Sequence, residues 1–196
     1  ICTYLLGICL SNPIENIDIS GLPLLKTLDF RDTRITELDV GNNPKLQSAL
    51  LEDETESYIY DNDDCVIKNV VKVDAKHFPD PYFQAYVSAF IDIDQNGWLD
   101  YDEIVAVSNL YLDSLPISDL EGLQYFPNLQ TLIVVGTTID KIDLSRNTEL
   151  STLELIQNGL TTLDLSKNSK LRVLACVESI DELDIHYCLS LVNAVR

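Results

Sequence analysis

A short pattern of leucines recurs along this chain of 196 residues and constrains its fold more than any other feature. Three segments fit LxxLxLxxNxL, although only the last keeps the Asn: "LKTLDFRDTRI" at 25–35, "LQTLIVVGTTI" at 129–139 and "LSTLELIQNGL" at 150–160. Weaker copies begin at Leu46, Leu171 and Leu191, and most neighbouring starts lie 21 residues apart. A unit this short cannot bury its own apolar residues, whereas stacked units share one continuous core. The pattern therefore predicts a solenoid.

A second half-motif lies between the predicted strands, and its last apolar residue begins the next strand. Its copies read "IDISGLPLL", "LDVGNNPKL", "IDLSRNTEL", "LDLSKNSKL" and "LDIHYCLSL". Together the two halves make a unit of about 21 residues that is typical of leucine-rich repeats, an α/β solenoid class. Cys9 and Cys176 fall at the sixth position of their frames, so we expect them to be buried apolar groups rather than reactive thiols.

The repeat disappears between Leu46 and Leu129, which divides the leucine-rich repeats into two blocks. The acidic run "EDETESYIYDNDD" is typical of a solvated connector. In "FPDPYFQAYVSAFI", Asp80 as N-cap and Pro81 as first residue predict a helix, and a second helix or turn is expected at "IVAVSNLYL". The predicted organisation is a repeat block at 1–54, a connector at 55–78, a helix-loop-helix at 79–113 and a second repeat block at 114–196.

The loop between those helices, "DIDQNGWLDYDE" at 92–103, fits the calcium motif D-x-[DN]-x-[DN]-G-x5-E, with Gly97 at the sharp turn. Hard oxygen ligands at this flexible spacing suit calcium better than the tighter octahedron of magnesium. The alternative is a loop that has kept its turn and lost affinity. No second loop is visible to pack against Leu99, so we expect Leu99 and both helices to cap the downstream repeats. The predicted metal ligands are Asp92, Asp94, Asn96, Trp98 through its carbonyl, Asp100 and Glu103.

The segment "FQAYVSAFIDIDQNGWLDYDEIVAVSNLYLDSLPISDLEGLQYFPNLQTL" at 83–132 resembles leucine-rich-repeat surface proteins of Bacteroides-type bacteria, in which an EF-hand-like calcium loop precedes the repeats. The units "LTTLDLSKNSKLRVLAC" and "IDLSRNTELSTLEL" are similar to the repeats of that family. The resemblance covers most of the chain except residues 55–78. It implies a secreted or envelope-anchored binding protein that acts outside the cell or on its surface.

In a leucine-rich repeat the strands line the concave face, and alternate strand positions look outward. In the second block these positions form columns of apolar residues, and such patches commonly mark contacts with partners. The first block offers charged residues at the same positions: Asp29, Arg31, Asp32, Glu52 and Asp53. The alternative is that β-branched residues suit strands, or that another segment or a second copy covers them. The predicted partner surface comprises Ile133, Val135, Glu154, Ile156, Val173 and Val177.

The formal charge of −19, from 32 acids against 13 bases, opposes binding to nucleic acid or anionic lipid. No apolar run is long enough to cross a membrane. His77 and His186 are isolated in the sequence, and no nucleophile or phosphate loop is recognisable. The sequence therefore predicts a calcium-binding, non-enzymatic protein that binds a protein or glycan through its concave face. The alternatives are a structural spacer or cap within a larger surface protein, and a glycan hydrolase that uses a carboxylate pair.

Overall fold

The structure is a computed structural model that describes residues 4–6, 14–25, 27–29, 34–51, 59–60, 65–68, 70–177, 180, 182–183 and 185–195. Within it the chain forms two compact units. The amino-terminal unit comprises residues 1–72 and 96–103, and the carboxy-terminal unit comprises residues 73–95 and 104–196. Among the predictions above, those on Cys9, Arg31, Asp32, Glu52 and Asp53 lie outside the described residues.

Within the described residues, the elements are short strands and three helices. The strands are β1 (Tyr4–Leu6), β2 (Thr27–Asp29), β3 (Glu37–Asp39), β4 (Ile59–Tyr60), β5 (Val66–Lys68), β6 (Val71–Lys72), β7 (Trp98–Leu99), β8 (Asn109–Asp113), β9 (Thr131–Val135), β10 (Thr152–Ile156), β11 (Thr162–Leu163), β12 (Val173–Val177), β13 (Glu182–Leu183) and β14 (Asn193–Val195). The helices are α1 (Pro44–Leu51), α2 (Pro81–Phe90) and α3 (Tyr101–Ala106), and a single 3-10 turn spans Leu123–Tyr125.

The amino-terminal unit contains parallel strand pairs. β1, β2 and β4 form one sheet, β3 pairs with β5, and β6 pairs antiparallel with β7. The repeat copy predicted as a strand at Leu46 is wrong, because this residue lies in α1 and is fully buried there. Pro44 suits the first position of a helix, and the following residues contain no β-branched side chain that would favour a strand. Leu28 of β2 instead pairs with Ile59 of β4, inside the predicted connector.

The carboxy-terminal unit confirms the predicted repeat. Its parallel sheet has the order β14, β12, β10, β9, β8, and the leucines of neighbouring strands stand side by side. Leu110 pairs with Leu132, Leu132 with Leu153 and Leu153 with Leu174, which are steps of 22, 21 and 21 residues. These leucines are all buried, as is Cys176. The fold of this unit is a leucine-rich-repeat solenoid.

The helix or turn predicted after Glu103 is only partly correct. α3 ends at Ala106, and residues 109–113 form β8, at one edge of the five-stranded sheet. In "NLYLD", Leu110 and Leu112 are buried and their neighbours are exposed, which is the alternation of a half-buried strand. The repeat therefore begins one unit earlier than Leu129, with Val107 at the first position of its frame.

A buried asparagine recurs at the same place in three of the half-motifs. Asn147 donates its side-chain amide to the carbonyls of Leu123 and Phe126, at 2.9 and 3.0 Å. Asn168 donates in the same way to the carbonyls of Leu144 and Asn147, at 3.1 and 2.9 Å, so the bonds form a ladder. Asn43 repeats the arrangement in the amino-terminal unit. These amides join each turn to the preceding one in places where no strand pairing exists.

A recurring geometry also shapes the exposed corner of four half-motifs. The carboxylates of Asp18, Asp39, Asp143 and Asp164 each accept a hydrogen bond from the backbone N–H two residues later, at 2.8–2.9 Å. Bonds from the backbone and side chain of Ser145 lower the pKa of Asp143 below its usual value. Such local bonds favour a turn over a continued strand. They explain why Asp and Ser or Gly recur two residues apart.

The first helix of the carboxy-terminal unit is fixed by one buried carboxylate. As predicted, Asp80 is the N-cap of α2 and Pro81 is its first residue. The Asp80 carboxylate accepts from the N–H groups of Tyr82 and Phe83 at 2.9 and 3.0 Å. Its other oxygen accepts from the N–H and hydroxyl of Ser118 at 2.8 and 2.9 Å. One side chain thus joins α2 to the segment that enters β9.

An aromatic cluster packs α2 onto the first turns of this unit. Phe78 lies 5.8 Å from Phe83 and 6.4 Å from Phe126 between ring centroids, and all three are fully buried. Gly122 has a φ of +119°, and a Cβ there would lie 2.3 Å from Phe78 Cδ1. Glycine is therefore required at this position by both the backbone and the packing. Through Phe78, α2 thus packs near the first turn of this unit, and its role as a cap of the downstream repeats stays a prediction.

The ladder predicts that Asn147→Ala will strongly destabilise the protein. The substitution removes two buried hydrogen bonds between turns, although each carbonyl keeps one bond from a backbone N–H of its own turn, so the loss is about 2 kcal/mol of the free energy of unfolding. Urea denaturation followed by circular dichroism measures the loss. Asn128→Ala is the control, because its amide donates to the carbonyl of Val105 at an exposed position. A similar loss in both variants would contradict a special role for the buried ladder.

Asp80 should contribute stability that depends on pH. Burial raises the pKa of Asp80, but the bonds from Ser118, Phe83 and Tyr82 outweigh it and hold the pKa below the ordinary value of 3.8. The stabilisation is therefore complete at neutral pH and is lost as the pH falls below 3.8 through the lowered pKa. We expect Asp80→Ala to cost about 2 kcal/mol at pH 7, and Asp80→Asn to cost less. Between pH 7 and pH 3 the melting temperatures of the wild type and of Asp80→Asn should converge. A constant difference between the two melting temperatures would contradict this prediction.

Candidate functional site

The loop that follows α2 has the backbone of a tight turn. α2 ends at Phe90, and the N–H of Gln95 donates to the carbonyl of Asp92 at 3.3 Å. Gln95 and Gly97 have φ values of +57° and +83°, in the left-handed region. No atom lies within 4 Å of a Cβ built on Gly97, so the backbone, and not the space, favours glycine here. This is the position at which the sequence predicts the sharp turn.

Three carboxylates converge within this continuous segment. One ligand oxygen from each of Asp92, Asp94 and Glu103 lies within 4.8 Å of the others. Asp92 is only 2% exposed, so its carboxylate is largely withdrawn from water. The backbone N–H of Asp100 donates to Glu103 Oε2 at 2.9 Å and fixes the glutamate at the start of α3. Three of the six predicted ligand residues are therefore brought together.

The other predicted ligands have different surroundings. Asn96 Oδ1 accepts a hydrogen bond from the N–H of Trp98 at 2.7 Å, which holds the side chain inside the loop. Asp100, also buried, is not part of the carboxylate group, and its Oδ2 lies 3.3 Å from the ammonium of Lys68. The loop motif does not point to this lysine, because Lys68 precedes the first residue of the loop by 24 residues.

The donor set fits a hard divalent cation. Three convergent carboxylates repel one another in the absence of positive charge, and a divalent cation would relieve that repulsion. Side-chain and carbonyl oxygens of Asn96 and Trp98 belong to the same loop and could complete a shell of six or more oxygens. Soft ligands are missing from the group, which disfavours transition metals.

The expectation that Leu99 caps the downstream repeats is not what the structure shows. β7 pairs antiparallel with β6, so that Leu99 stands opposite Val71 and Trp98 opposite Lys72. The N–H of Val70 donates to the carbonyl of Leu99 at 2.9 Å, and Leu99 is fully buried. A strand from the predicted connector thus occupies the place that a second loop would take. The sequence did not indicate this pairing because β6 is only two residues long.

The second candidate site is the outward face of the five-stranded sheet, called here the sheet face. Ile133 stands beside Glu154, and Val135 stands beside Ile156 in the parallel register. These four side chains and Val173 are half-buried, which is typical of residues on an open face. The strand backbone at Val177 continues the column, but its side chain lies outside the described residues. The structure therefore places five of the six predicted residues on one face.

Sequence reasoning missed the largest member of the sheet face. Tyr111 pairs with Ile133 in the register of β8 and β9, and its side chain is 57% exposed. Asp113 pairs with Val135 and is exposed at the edge. Both were missed because β8 was assigned to a helix or turn. The alternation of Leu110 and Leu112 with polar and aromatic neighbours could have identified the strand.

The two histidines lie in different surroundings. His77 is half-buried, with Nδ1 2.8 Å from Asp74 Oδ1 and its ring 5.9 Å from that of Tyr125. It forms part of the turn that precedes α2. His186 is exposed and contacts the ring of Tyr187.

A cleft of about 470 Å³ in the carboxy-terminal unit carries Lys141 and other charged residues of both signs. These features do not assemble a recognisable nucleophile and base.

Comparison with known proteins identifies similar solved structures. No protein-family model matches the sequence, and no curated protein is significantly similar to it. The functional domain of InlJ from Listeria monocytogenes, described as including a cysteine ladder, matches with a TM-score of 0.56 and 26% identity, over 63% of this chain and 27% of that one. The internalin inlF from Listeria monocytogenes str. 4b F2365 matches with a TM-score of 0.56 and 20% identity, over 63% and 38%.

These matches support an internalin-like leucine-rich-repeat fold. The chain spans well under half the length of either similar structure. In the part of the chain that the structure describes, no helix is both long and apolar enough to cross a membrane.

Proposed function

We propose that this chain is an internalin-like surface protein that binds a protein partner through the sheet face of its carboxy-terminal unit. The observation that carries this proposal is the group of apolar side chains at adjoining positions of neighbouring strands. Tyr111, Ile133, Val135 and Ile156 lie on adjacent strands, so their exposed surfaces adjoin. The structural similarity to two internalins of Listeria monocytogenes supports the same role. Adjoining apolar residues on an exposed face commonly mark a contact with another protein.

The composition of the sheet face favours a particular kind of partner. It combines aliphatic side chains with one tyrosine, a residue type enriched at the centre of protein interfaces. Asp113 and Glu154 add negative charge at its edge and centre, and the whole chain carries a formal charge of −19. A partner surface with apolar side chains and flanking lysine or arginine would be complementary. This chemistry favours a protein over a glycan.

The proposal predicts that Tyr111→Ala combined with Ile133→Glu will weaken binding at least tenfold, because it removes the aromatic anchor and places a charge inside the contact. Biolayer interferometry against an array of purified extracellular protein domains first identifies a partner of the wild type and then measures its dissociation constant. Ser169→Glu is the control, since it adds the same charge on an exposed turn.

Two results would contradict the proposal. An identified partner that binds the double variant as tightly as the wild type would place the contact elsewhere on the molecule. No binding by the wild type across the array, together with intact folding, would favour a structural spacer within a larger surface protein.

We also propose that the loop at 92–103 binds calcium and thereby stabilises the fold outside the cell. The support is the convergence of Asp92, Asp94 and Glu103 in a loop whose Gly97 makes the expected turn. Asn96, the carbonyl of Trp98 and Asp100 are the further proposed ligands. Calcium bound there would neutralise the carboxylates, while these residues of the chain hold the turn and orient the oxygens. An extracellular location would supply enough calcium for a loop of modest affinity.

Calcium should therefore raise the thermal stability of the wild-type protein. At a concentration 100 times the dissociation constant the gain is about 2.7 kcal/mol, which corresponds to a rise of several degrees in the melting temperature. Differential scanning calorimetry with millimolar calcium and with EDTA tests this. The variant Asp92→Asn with Glu103→Gln should lose the response.

Asp102→Asn is the matched control for that experiment. Asp102 belongs to the same loop but is exposed and is not a proposed ligand. It should keep the full calcium response. Identical melting of the wild type with calcium and with EDTA would reject the calcium site, and a lost response in Asp102→Asn would show that only the total charge matters.

A further inference from the structure

We infer that Lys68 is a counter-ion built into the loop, which competes with calcium and sets the affinity of the site. The inference rests on the proposed calcium function of residues 92–103. The structure shows the Lys68 ammonium 3.3 Å from Oδ2 of Asp100, the ninth residue of the loop. The side chains of Lys68 and Asp100 are 31% and 7% exposed, so this ion pair is screened less by water than a surface pair.

The lysine is delivered to the loop by folded backbone. Lys68 is the last residue of β5 and stands opposite Asp39 of β3. Its carbonyl accepts from the N–H of Val40 at 3.1 Å. The backbone of this lysine is held by its own strand and by the neighbouring strand. Such a lysine loses less conformational freedom when it forms an ion pair than a lysine on a mobile segment does.

The backbone around Asp100, the carboxylate partner of Lys68, is also held by hydrogen bonds. Asp100 follows β7 directly, and the carbonyl of Leu99 accepts from the N–H of Val70 at 2.9 Å. The N–H of Asp100 donates to Glu103, a member of the convergent carboxylate group. Lys68 therefore contacts a residue that is itself hydrogen-bonded to a proposed calcium ligand.

This arrangement has opposite effects on the two states of the loop. Without calcium, the ammonium offsets part of the repulsion among the loop's carboxylates and keeps the loop folded. With calcium, the ammonium repels the divalent ion and holds Asp100 away from it. The competition is reciprocal, so calcium binding should weaken the Lys68–Asp100 pair by the same factor by which Lys68 weakens calcium binding. Affinity is thus tuned from β5, a strand of the amino-terminal unit.

A second lysine in the same segment provides a matched control. Lys72 is exposed, and its ammonium lies 5.8 Å from the ring centroid of Trp98. It contributes the same charge to the neighbourhood of the loop and faces an aromatic ring. Lys72→Met therefore changes the net charge as Lys68→Met does, while it leaves the Lys68–Asp100 pair in place.

The test is isothermal titration of the full chain with calcium chloride at low ionic strength. Lys68→Met should bind calcium at least about fivefold more tightly than the wild type does. Lys68→Arg, which keeps the charge, and Lys72→Met should stay near the wild-type affinity. In EDTA, Lys68→Met should melt below the wild type, since Asp100 has lost its cation, and calcium should reverse that order. The difference in affinity should shrink in high salt.

Each alternative result has a distinct meaning. Wild-type affinity in Lys68→Met would overturn the inference and leave the calcium site intact. Equal tightening in Lys72→Met would also overturn it, because net charge would then be sufficient. No heat of binding in any variant would reject the calcium site and the inference together. Binding by Lys68→Met alone would support the inference in its strongest form, with Lys68 excluding the ion from the wild type.

Discussion

The fold depends on a hydrogen-bonding problem that every stacked repeat must solve. Strand pairing joins the turns along the five-stranded sheet, whereas on the other side of each turn the strands are only two or three residues long and end before the buried corner of the half-motif. At that corner Asn147 and Asn168 each donate two hydrogen bonds to carbonyls of the preceding turn, in addition to the backbone N–H that each of those carbonyls already accepts. The leucines provide the apolar surface that drives burial, and the asparagines make that burial compatible with a polar backbone. Regular stacking, and with it the regular sheet face, follows from both.

The proposed calcium site and the proposed contact surface would be two uses of strand pairing. Such pairing holds side chains at fixed spacing, so residues that are far apart in sequence become neighbours with little freedom to move. On the sheet face this order places single residues of β8, β9 and β10 side by side. Beside the loop it brings the ammonium of Lys68 to a carboxylate that lies 32 residues later in the chain. In both proposals the function would depend on positions that strand pairing fixes.

Structural features could be predicted from the sequence where they depend on residues that are close together in the chain. The strands at 131–135 and 152–156, the cap at Asp80 and the turn at Gly97 could be predicted, because each rests on residues that are close in sequence. Leu46 had the right spacing for a strand but lay among helix-forming residues, and the local preference prevailed. The pairing of β6 with β7 and the position of Lys68 could not be predicted, since both are set by tertiary contacts between short segments. The asparagine ladder was visible in the half-motifs, but its role becomes clear only when the carbonyls that it meets are known.

The asparagine ladder changes character at its last described turn. Cys188 replaces the asparagine: its N–H donates to Ile185 and its carbonyl accepts from Leu191, as those of Asn168 do with Leu165 and Leu171. A thiol is a much weaker donor than an amide with two N–H groups. This turn is therefore held to its neighbour less strongly than the turns of Asn147 and Asn168, and its backbone amides should exchange hydrogen faster than theirs. Under a pulling force the stack should open at this turn at a lower load than at the turns that an asparagine joins.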